Sequence, residues 1–218
     1  MLSFAQVKKN QEILGFIKAT EKTSRELGYT DHGLRHAQLV ADRARTIALE
    51  TGLSKGEQEL AAISGFCHDM GMFLGRTQHH YWGALLFSQV FLDKMPIEDL
   101  ITIMQAIVNH DKEEIKILNK ISAVLILADK ADVHRSRVLE KNLMKIQRDI
   151  HDRVNYGAEE VKLRFSKKEI LLKLKVDTKF VPVMEYFEIF TPRMAYCRSA
   201  AQYLGYKFGL EINNFKLL

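Results

Sequence analysis

The sequence is poor in the features that mark secreted and membrane-spanning proteins. It has 2 cysteines, Cys67 and Cys197, which are far apart and in no Cys-x-x-Cys pair, so a disulfide framework is excluded. No apolar run reaches the roughly 20 residues that span a bilayer. The Met1–Asn10 segment lacks the charged-then-apolar order of a signal peptide. We therefore expect a cytoplasmic protein without a membrane partner.

The charge is basic but dispersed along the chain. There are 32 Lys and Arg residues against 27 Asp and Glu residues, a formal charge of +5, without one long basic run. This excess suits a phosphorylated small molecule as well as nucleic acid, and a solvated basic surface without a partner explains it equally. With 47% apolar and 27% charged residues, extended disorder is not expected.

Helical patterns cover the chain up to about Tyr156. Proline is scarce, at 3 residues, which suits long helices. Apolar residues recur at i, i+3, i+4 and i+7 in the first of these helices, and Ser54-Lys-Gly-Glu57 is a capping box that opens the second. Pro96 suits the first turn of the fourth, and the apolar run before Asp129 predicts a buried central helix. The predicted helices are Leu34–Glu50, Ser54 to about Asp69, His80–Lys94, one that begins after Pro96 and runs to about His110, and Ile117–Ser136.

The hydrophobic period then changes. Apolar and basic residues alternate in Val161–Phe165 and Leu172–Val176, which predicts two half-buried strands joined by a hairpin turn at Ser166–Glu169. A helix follows Pro182 to about Leu204, and Phe208, Leu210 and Ile212 suggest a third strand. The expected fold is mainly α, with a helical bundle over residues 1–156 and a small C-terminal α+β extension, an antiparallel hairpin plus a helix, over 157–218.

Several side chains of metal-ligand type lie on the inward faces of these helices. His36 lies one turn before Val40, and His110 lies on the same face as Ile107. Asp129 places a carboxylate on an otherwise apolar helix, where an unpaired charge costs several kcal/mol and needs a partner or a metal. Imidazoles facing the same interior would supply such a metal site.

The adjacent pair His68-Asp69 is the most specific feature of this pattern. Neighbours on an intact helix diverge by about 100°, so both can bind one ion only where the helix ends, and Gly71 supplies that break. A carboxylate can also bridge two ions about 3.5–4 Å apart, an arrangement that activates water against phosphate esters.

The order of these residues resembles that of the HD-domain metal-dependent phosphohydrolases, over roughly Gly28 to Arg137. The resemblance rests on several elements in sequence: His36, His68-Asp69, His79 with Gly83 four residues on, His110, and Asp129 in Leu127-Ala-Asp-Lys-Ala-Asp132. The His-x-x-x-Gly and Ala-Asp-Lys elements are most similar to the bacterial branch that hydrolyses diadenosine tetraphosphate symmetrically. The cyclic-di-GMP phosphodiesterase branch matches less well, because its second His and Gly-Tyr-Pro are missing.

The resemblance implies a set of metal ligands. It assigns His36, His68, Asp69 and Asp129 to one ion, and His79 and His110 to a second ion with Asp69 bridging. Two divalent metal ions are therefore expected as cofactors, Fe or Mn by preference, with Mg, Ni or Zn as alternatives.

Around the ligands, the resemblance leaves other roles open. Met72 stands where many relatives have a lysine, so Lys130 and Arg76 are the candidates for neutralising phosphate. His32 and His80 are further candidates for substrate binding, against a plain helix start for His32 and a metal-ligand or outer position for His80. Cys67 is expected to be a buried packing residue. Tyr81 and Trp82 could stack on a base, although core packing is expected for Trp82. Asp132 and Arg135 could form an ion pair or contact the substrate.

Three functions follow from these residues. The first is hydrolysis of a phosphate ester or phosphoanhydride in a nucleotide or dinucleotide polyphosphate by metal-activated water, with Asp69 and Lys130 as the catalytic groups. The second is a nucleotide-sensing regulatory HD module without turnover, which the Met72 departure keeps open. The third and least favoured is nucleic-acid binding through the basic strands at Lys162, Arg164, Lys173 and Lys175. The extension after residue 156 is expected to control substrate choice or subunit contact, including a homodimer, and to supply no metal ligand.

Overall fold

The computed structural model describes residues 2–112 and 116–217 and shows a helical bundle followed by a small sheet. In these residues no helix is long and apolar enough to cross a membrane. The α-helices are α1 Phe4–Val7, α2 Gln11–Glu26, α3 Leu34–Glu50, α4 Lys55–Cys67, α5 His79–Phe91, α6 Ile97–Asn109, α7 Lys120–Lys130, α8 Leu143–Arg148, α9 Ile150–Gly157 and α10 Val183–Tyr203. The strands are β1 Ala158–Phe165, β2 Glu169–Val176, β3 Lys207–Ile212 and β4 Phe215–Lys216.

Local sequence signals set most helix starts. The Ser54 hydroxyl accepts the Glu57 amide, and the Glu57 carboxylate accepts the Ser54 amide at 2.8 Å, so the predicted capping box opens α4. Pro96 directly precedes α6, so this helix begins after Pro96 as predicted. The predicted helix starts are therefore right to within a residue or two, except at α7.

Helix α7 is the centre of the bundle. Its residues from Ile121 to Lys130 are all buried, and it packs against α3, α4, α6 and α10. The prediction of one helix over Ile117–Ser136 was too long. Asn119 caps the start by accepting the Ser122 amide at 2.8 Å, and the chain leaves the α-helix after Lys130, with a short 3-10 turn at Arg135–Arg137.

Two close approaches bring the metal-ligand residues together. At Gly65 of α4 an added Cβ would lie 2.9 Å from the Ala41 backbone, so the missing side chain lets α3 and α4 pack closely. At Gly71 an added Cβ would overlap the His79 carbonyl oxygen and the Gly83 nitrogen. The turn after His68-Asp69 can therefore lie directly against the first turn of α5.

The C-terminal extension joins its sheet to the bundle. The strand order is β1-β2-β3-β4, with β1 and β2 antiparallel as predicted. β3 pairs in parallel with β2, because α10 connects the end of β2 to the start of β3 and so lets both strands run in the same direction. The buried face of α10 packs on α7 and β3. The mainly α fold with a small α+β extension is confirmed, while the domain division at residue 156 stays a prediction.

Candidate metal centre

Four side chains from three helices meet at one buried point. His36 lies on α3, His68 and Asp69 at the end of α4, and Asp129 near the end of α7. The His36 Nε2 atom lies 3.2 Å from His68 Nε2, 3.3 Å from Asp69 Oδ2 and 3.4 Å from Asp129 Oδ1. His68 Nε2 lies 3.0 Å from Asp69 Oδ2 and 3.6 Å from Asp129 Oδ1. All four residues are buried.

A second group adjoins the first through the other oxygen of Asp69. The Nε2 atoms of His79 and His110 lie 3.3 Å apart. They lie 3.2 Å and 3.4 Å from Asp69 Oδ1. His79 is the first residue of α5 and His110 directly follows α6. Each oxygen of one carboxylate therefore faces a separate set of imidazoles.

The spacing of these atoms suits metal binding. Bonds of about 2.0–2.2 Å to nitrogen or oxygen place neighbouring ligand atoms roughly 3.0–3.5 Å apart in tetrahedral or octahedral sites. The observed separations fall close to this range, and three overlapping groups of these residues have ligand atoms within 4.8 Å of one another. The structure thus brings together all six residues predicted as ligands.

Hydrogen bonds orient each imidazole for this purpose. The Nδ1 atom of His68 lies 2.8 Å from Gly65 O, that of His79 2.8 Å from Arg76 O, and that of His110 2.6 Å from Ile107 O. Because a carbonyl only accepts, each Nδ1 carries a proton and Nε2 faces the centre, where its lone pair can bind a metal when the ring is neutral.

His36 is oriented by a carboxylate instead. Its Nδ1 lies 2.7 Å from Asp132 Oδ2, which also accepts from Arg35 Nη2 at 2.9 Å. Asp132 is fully buried, and Arg135 pairs with Glu159 at 3.3 Å. The Asp132–Arg135 ion pair considered from the sequence is therefore wrong, and Asp132 acts as the outer partner of His36.

The carboxylates at the centre are ionised. Although burial disfavours the charged form, His68 and the surrounding rings hold the pKa of Asp69 well below its usual range. Lys130 does the same for the pKa of Asp129 against the effect of burial. Burial also opposes a charged His68 ring, yet Asp69 and Asp129 raise its pKa to about 10. Without a metal, the two carboxylates therefore hold protons on the neighbouring rings, and a metal cation that binds there would displace those protons.

Lys130 lies beside this centre as predicted. Its Nζ atom is 2.9 Å from Asp129 Oδ2 and 3.0 Å from Asp111 Oδ1. Burial disfavours the ammonium, but Asp129 and Asp111 raise the pKa of Lys130, which keeps it cationic. The sequence interpretation missed Asp111, although its position directly after His110 was an available signal.

A pocket opens onto both groups of ligand-type residues. It encloses about 370 Å³, including space open to solvent. Besides Asp69, His79, His110 and Asp129, its lining includes His32, Met72, Arg76, Asp111, Lys130, Arg137 and Arg193. Met72 supplies no charge, so the cations of this pocket are Lys130 and three arginines. Arg137 and Arg193 had not been singled out from the sequence.

The two histidines predicted to contact substrate occupy different places. His32 lines the pocket, with Nδ1 2.6 Å from Thr30 O and Nε2 3.1 Å from Arg137 Nη2. Burial and the Arg137 charge hold the pKa of His32 well below its usual range, so its neutral ring accepts from Arg137. His80 lies outside this pocket and lines a neighbouring cavity with Arg76 and Tyr81.

Other residues near the motifs take varied positions. Cys67 is buried, and burial raises the pKa of its thiol, which favours the packing role. Trp82 is 41% exposed, so its prediction as a core residue was wrong. Arg76 lies over the Tyr29 ring at 5.3 Å and lines the pocket as expected.

The basic strands of the extension are largely charge-balanced. Lys162 pairs with Glu160 at 2.8 Å, Lys173 with Glu211 at 2.7 Å, and Lys175 with Glu159 at 2.9 Å. Such pairing reduces the field that nucleic-acid phosphates would meet. The strands thus add little to the case for nucleic-acid binding.

Part of the chain is similar to a known protein family. Residues 33–136 match the family model of the HD domain, a segment that contains all six ligand-type residues. No curated protein matches the chain. This helical region is therefore similar to the HD domain.

Proposed function

Because residues 33–136 match the HD domain, we propose that this chain is a metal-dependent phosphohydrolase that cleaves a phosphate ester or phosphoanhydride. The observation that carries the proposal is Asp69, whose two oxygens face separate groups of imidazoles at 3.0–3.4 Å. A carboxylate between two ligand sets is the arrangement of two-metal hydrolytic sites.

The residues divide into two ligand sets. His36, His68, Asp69 and Asp129 would hold one divalent ion, and Asp69, His79 and His110 the other. Ions in these positions would polarise a phosphoryl oxygen and lower the pKa of bound water. Mixed imidazole and carboxylate donors suit Fe or Mn, with Ni, Zn and Mg as alternatives.

The protein contributes charge and orientation around that centre. Lys130 lies 2.9 Å from Asp129 and lines the pocket, so its ammonium can neutralise charge that develops on the phosphoryl group. Asp111 holds the Lys130 side chain in place. With water as the attacking group, no side chain needs to act as a nucleophile.

A nucleotide or dinucleotide polyphosphate is the proposed substrate class. The arginines of the pocket support it, since guanidinium groups bind phosphate through paired hydrogen bonds. The motif pattern adds a resemblance to the branch that hydrolyses diadenosine tetraphosphate symmetrically, which we retain as a proposal for this chain.

A nucleotide-sensing module without turnover is the second candidate. Met72 favours it, because this buried thioether lines the pocket where many relatives have a lysine. Sensing predicts metal and nucleotide binding without hydrolysis. Hydrolysis of any nucleotide in a screen removes this candidate.

A homodimer is also proposed. Helices α5 and α6 present exposed apolar side chains, among them Leu85 at 54%, Ile97 at 49% and Ile101 at 46% exposure. Sedimentation of the purified protein at several concentrations tests this proposal.

The metal assignment is tested by elemental analysis and by a hydrolysis screen, which detects orthophosphate and shorter nucleotides, on the wild type and Asp69→Ala. We expect the wild type to hold transition metal and to hydrolyse a nucleotide, and Asp69→Ala to lose both, because one carboxylate serves both ligand sets. Asp93→Ala, which removes an exposed aspartate, is the matched control and should keep both. Full metal content in Asp69→Ala would refute the ligand assignment.

A further inference from the structure

The pocket beside the ligand sets receives a cation from the C-terminal extension. Its four cationic lining residues come from separate segments: Arg76 before α5, Lys130 at the end of α7, Arg137 after it, and Arg193 in α10. Helix α10 lies outside the segment that matches the HD domain. The extension is thus part of the wall of this site.

Two of these cations are already held by the protein. Lys130 is bound between Asp129 and Asp111 at 2.9 and 3.0 Å. Arg137 donates to the backbone carbonyls of Asp132 and Asp31 at 3.1 and 3.2 Å and to His32. Both side chains therefore already have acceptors within the protein.

Arg76 and Arg193 differ from this pair. Within residues 2–112 and 116–217, neither has an ion-pair partner among the salt bridges. Each is steadied by an aromatic ring instead, Arg76 over Tyr29 at 5.3 Å and Arg193 over Phe190 at 4.7 Å. A ring fixes the guanidinium plane but uses none of its N–H donors, so these donors stay available to an anion.

The environment of Arg193 disfavours an unpaired charge. Burial and the nearby Arg137 lower the pKa of Arg193, against the opposite effect of Asp129 and Asp111. A half-buried guanidinium beside a second cation is stabilised when an anion binds to it.

The same two arginines mark the direction in which a ligand extends. Both line the pocket at the ligand sets and also an adjoining cleft that contains Tyr29, His151 and Asn155. They therefore lie where the pocket and the cleft meet.

We propose that Arg193, together with Arg76, binds a second phosphoryl group of the substrate, so that the extension makes the site selective for diphosphates and longer polyphosphates over monophosphates. The inference rests on the proposed function, in which Lys130 and the ligand sets hold the phosphoryl group that is cleaved. The remainder of the substrate would then lie in the cleft beyond the two arginines.

The test compares binding of imidodiphosphate, which resists hydrolysis, with binding of orthophosphate by calorimetry on the metal-containing protein. We expect the wild type to prefer imidodiphosphate. Arg193→Ala should weaken imidodiphosphate binding about 10-fold or more, the loss of a charge-assisted contact, and change orthophosphate binding little. Arg193→Lys should recover part of the difference.

Arg198→Ala is the matched control, because Arg198 is an exposed arginine on the same helix and lines no part of the pocket. It should bind both anions as the wild type does. Metal content and thermal melting of every variant separate loss of the anion contact from loss of the metals or the fold, and Arg193→Lys retains the test if the alanine variant does not fold.

The inference is overturned if Arg193→Ala keeps the preference for imidodiphosphate, or if the variant binds both anions more weakly by the same factor. Either result leaves hydrolysis by the wild type as evidence for the proposed function. Conversely, Arg193-dependent binding of imidodiphosphate in a protein that hydrolyses nothing supports this anion site and removes the proposed hydrolysis.

Discussion

Lys130 lies between two carboxylates, and its removal separates metal binding from catalysis. We expect Lys130→Met to lower turnover while the metal stoichiometry is unchanged, because Lys130 bonds Asp129 Oδ2 and the histidines face Oδ1. The variant should also unfold more easily, by on the order of 1–3 kcal/mol, since Asp129 and Asp111 lose their cation.

The control for Lys130→Met is Lys120→Met, which removes an exposed lysine from the first residue of the same helix. Steady-state kinetics, elemental analysis and thermal melting on both variants make the comparison. Wild-type turnover in Lys130→Met would remove Lys130 from the mechanism and direct attention to Arg76.

His68 makes metal binding dependent on pH. Asp69 and Asp129 raise the pKa of His68 to about 10 despite burial, whereas an unfolded histidine titrates near about 6.5. Since the folded value is the higher one, this stabilisation of the metal-free protein is complete below about pH 6.5 and is lost as pH rises toward 10. Metal binding needs the neutral ring, so metal affinity should rise over the same interval.

Thermal melting of the metal-free protein between pH 6 and 9.5 measures the expected fall in stability with pH. Metal titrations at pH 6.5 and 8.5 measure the expected rise in metal affinity. His151→Ala removes an exposed histidine and should preserve both. His68→Asn should flatten the melting slope. Metal affinity that does not change with pH would contradict a charged His68.

At the scale of helices, the contact between the turn at Gly71 and α5 sets the position of His79. A methyl group at Gly71 would overlap the His79 carbonyl and the Gly83 nitrogen, so α5 must move. Gly71→Ala should therefore lower stability by about 1–3 kcal/mol. It should also weaken metal binding at His79 and His110 more than metal binding at His36 and Asp129.

Gly15→Ala is the matched glycine control. Gly15 lies inside α2 with no atom within 4 Å of an added Cβ, so this change should raise stability by about 0.5–1 kcal/mol. Thermal melting and metal stoichiometry distinguish the two variants. Full metal content and wild-type stability in Gly71→Ala would show that the close approach is not needed.

At the scale of the whole molecule, the extension covers the central helix. Tyr186, Phe190 and Met194 of α10 are buried, and α10 packs on α7. A chain ending at Tyr156 should therefore aggregate or self-associate through the uncovered α7. Because all six proposed ligands lie between residues 36 and 129, any soluble fraction should retain its metals.

Gel filtration and elemental analysis of the truncated protein check this expectation. A soluble, folded monomer that loses its metals would mean that the extension completes the ligand sets. The six-residue assignment would then have to be revised.

Sequence alone was sufficient where structure depends on near neighbours. The Ser54 capping box, the hairpin of β1 and β2 and the helix after Pro182 all form as predicted, because caps and periodicity act over a few residues. The order of the His and Asp residues also predicted that six side chains of ligand type would meet, and they do, while their role as metal ligands stays a prediction.

Tertiary structure decided whatever depends on residues distant along the chain. Asp132 lies 96 residues from His36, whose ring it orients, and Arg193 reaches the pocket only because α10 crosses back over α7. The parallel pairing of β3 with β2 and the exposure of Trp82 are of the same kind. Periodicity assigns a residue to a face of its own element, but only the packing of the elements determines what that face meets.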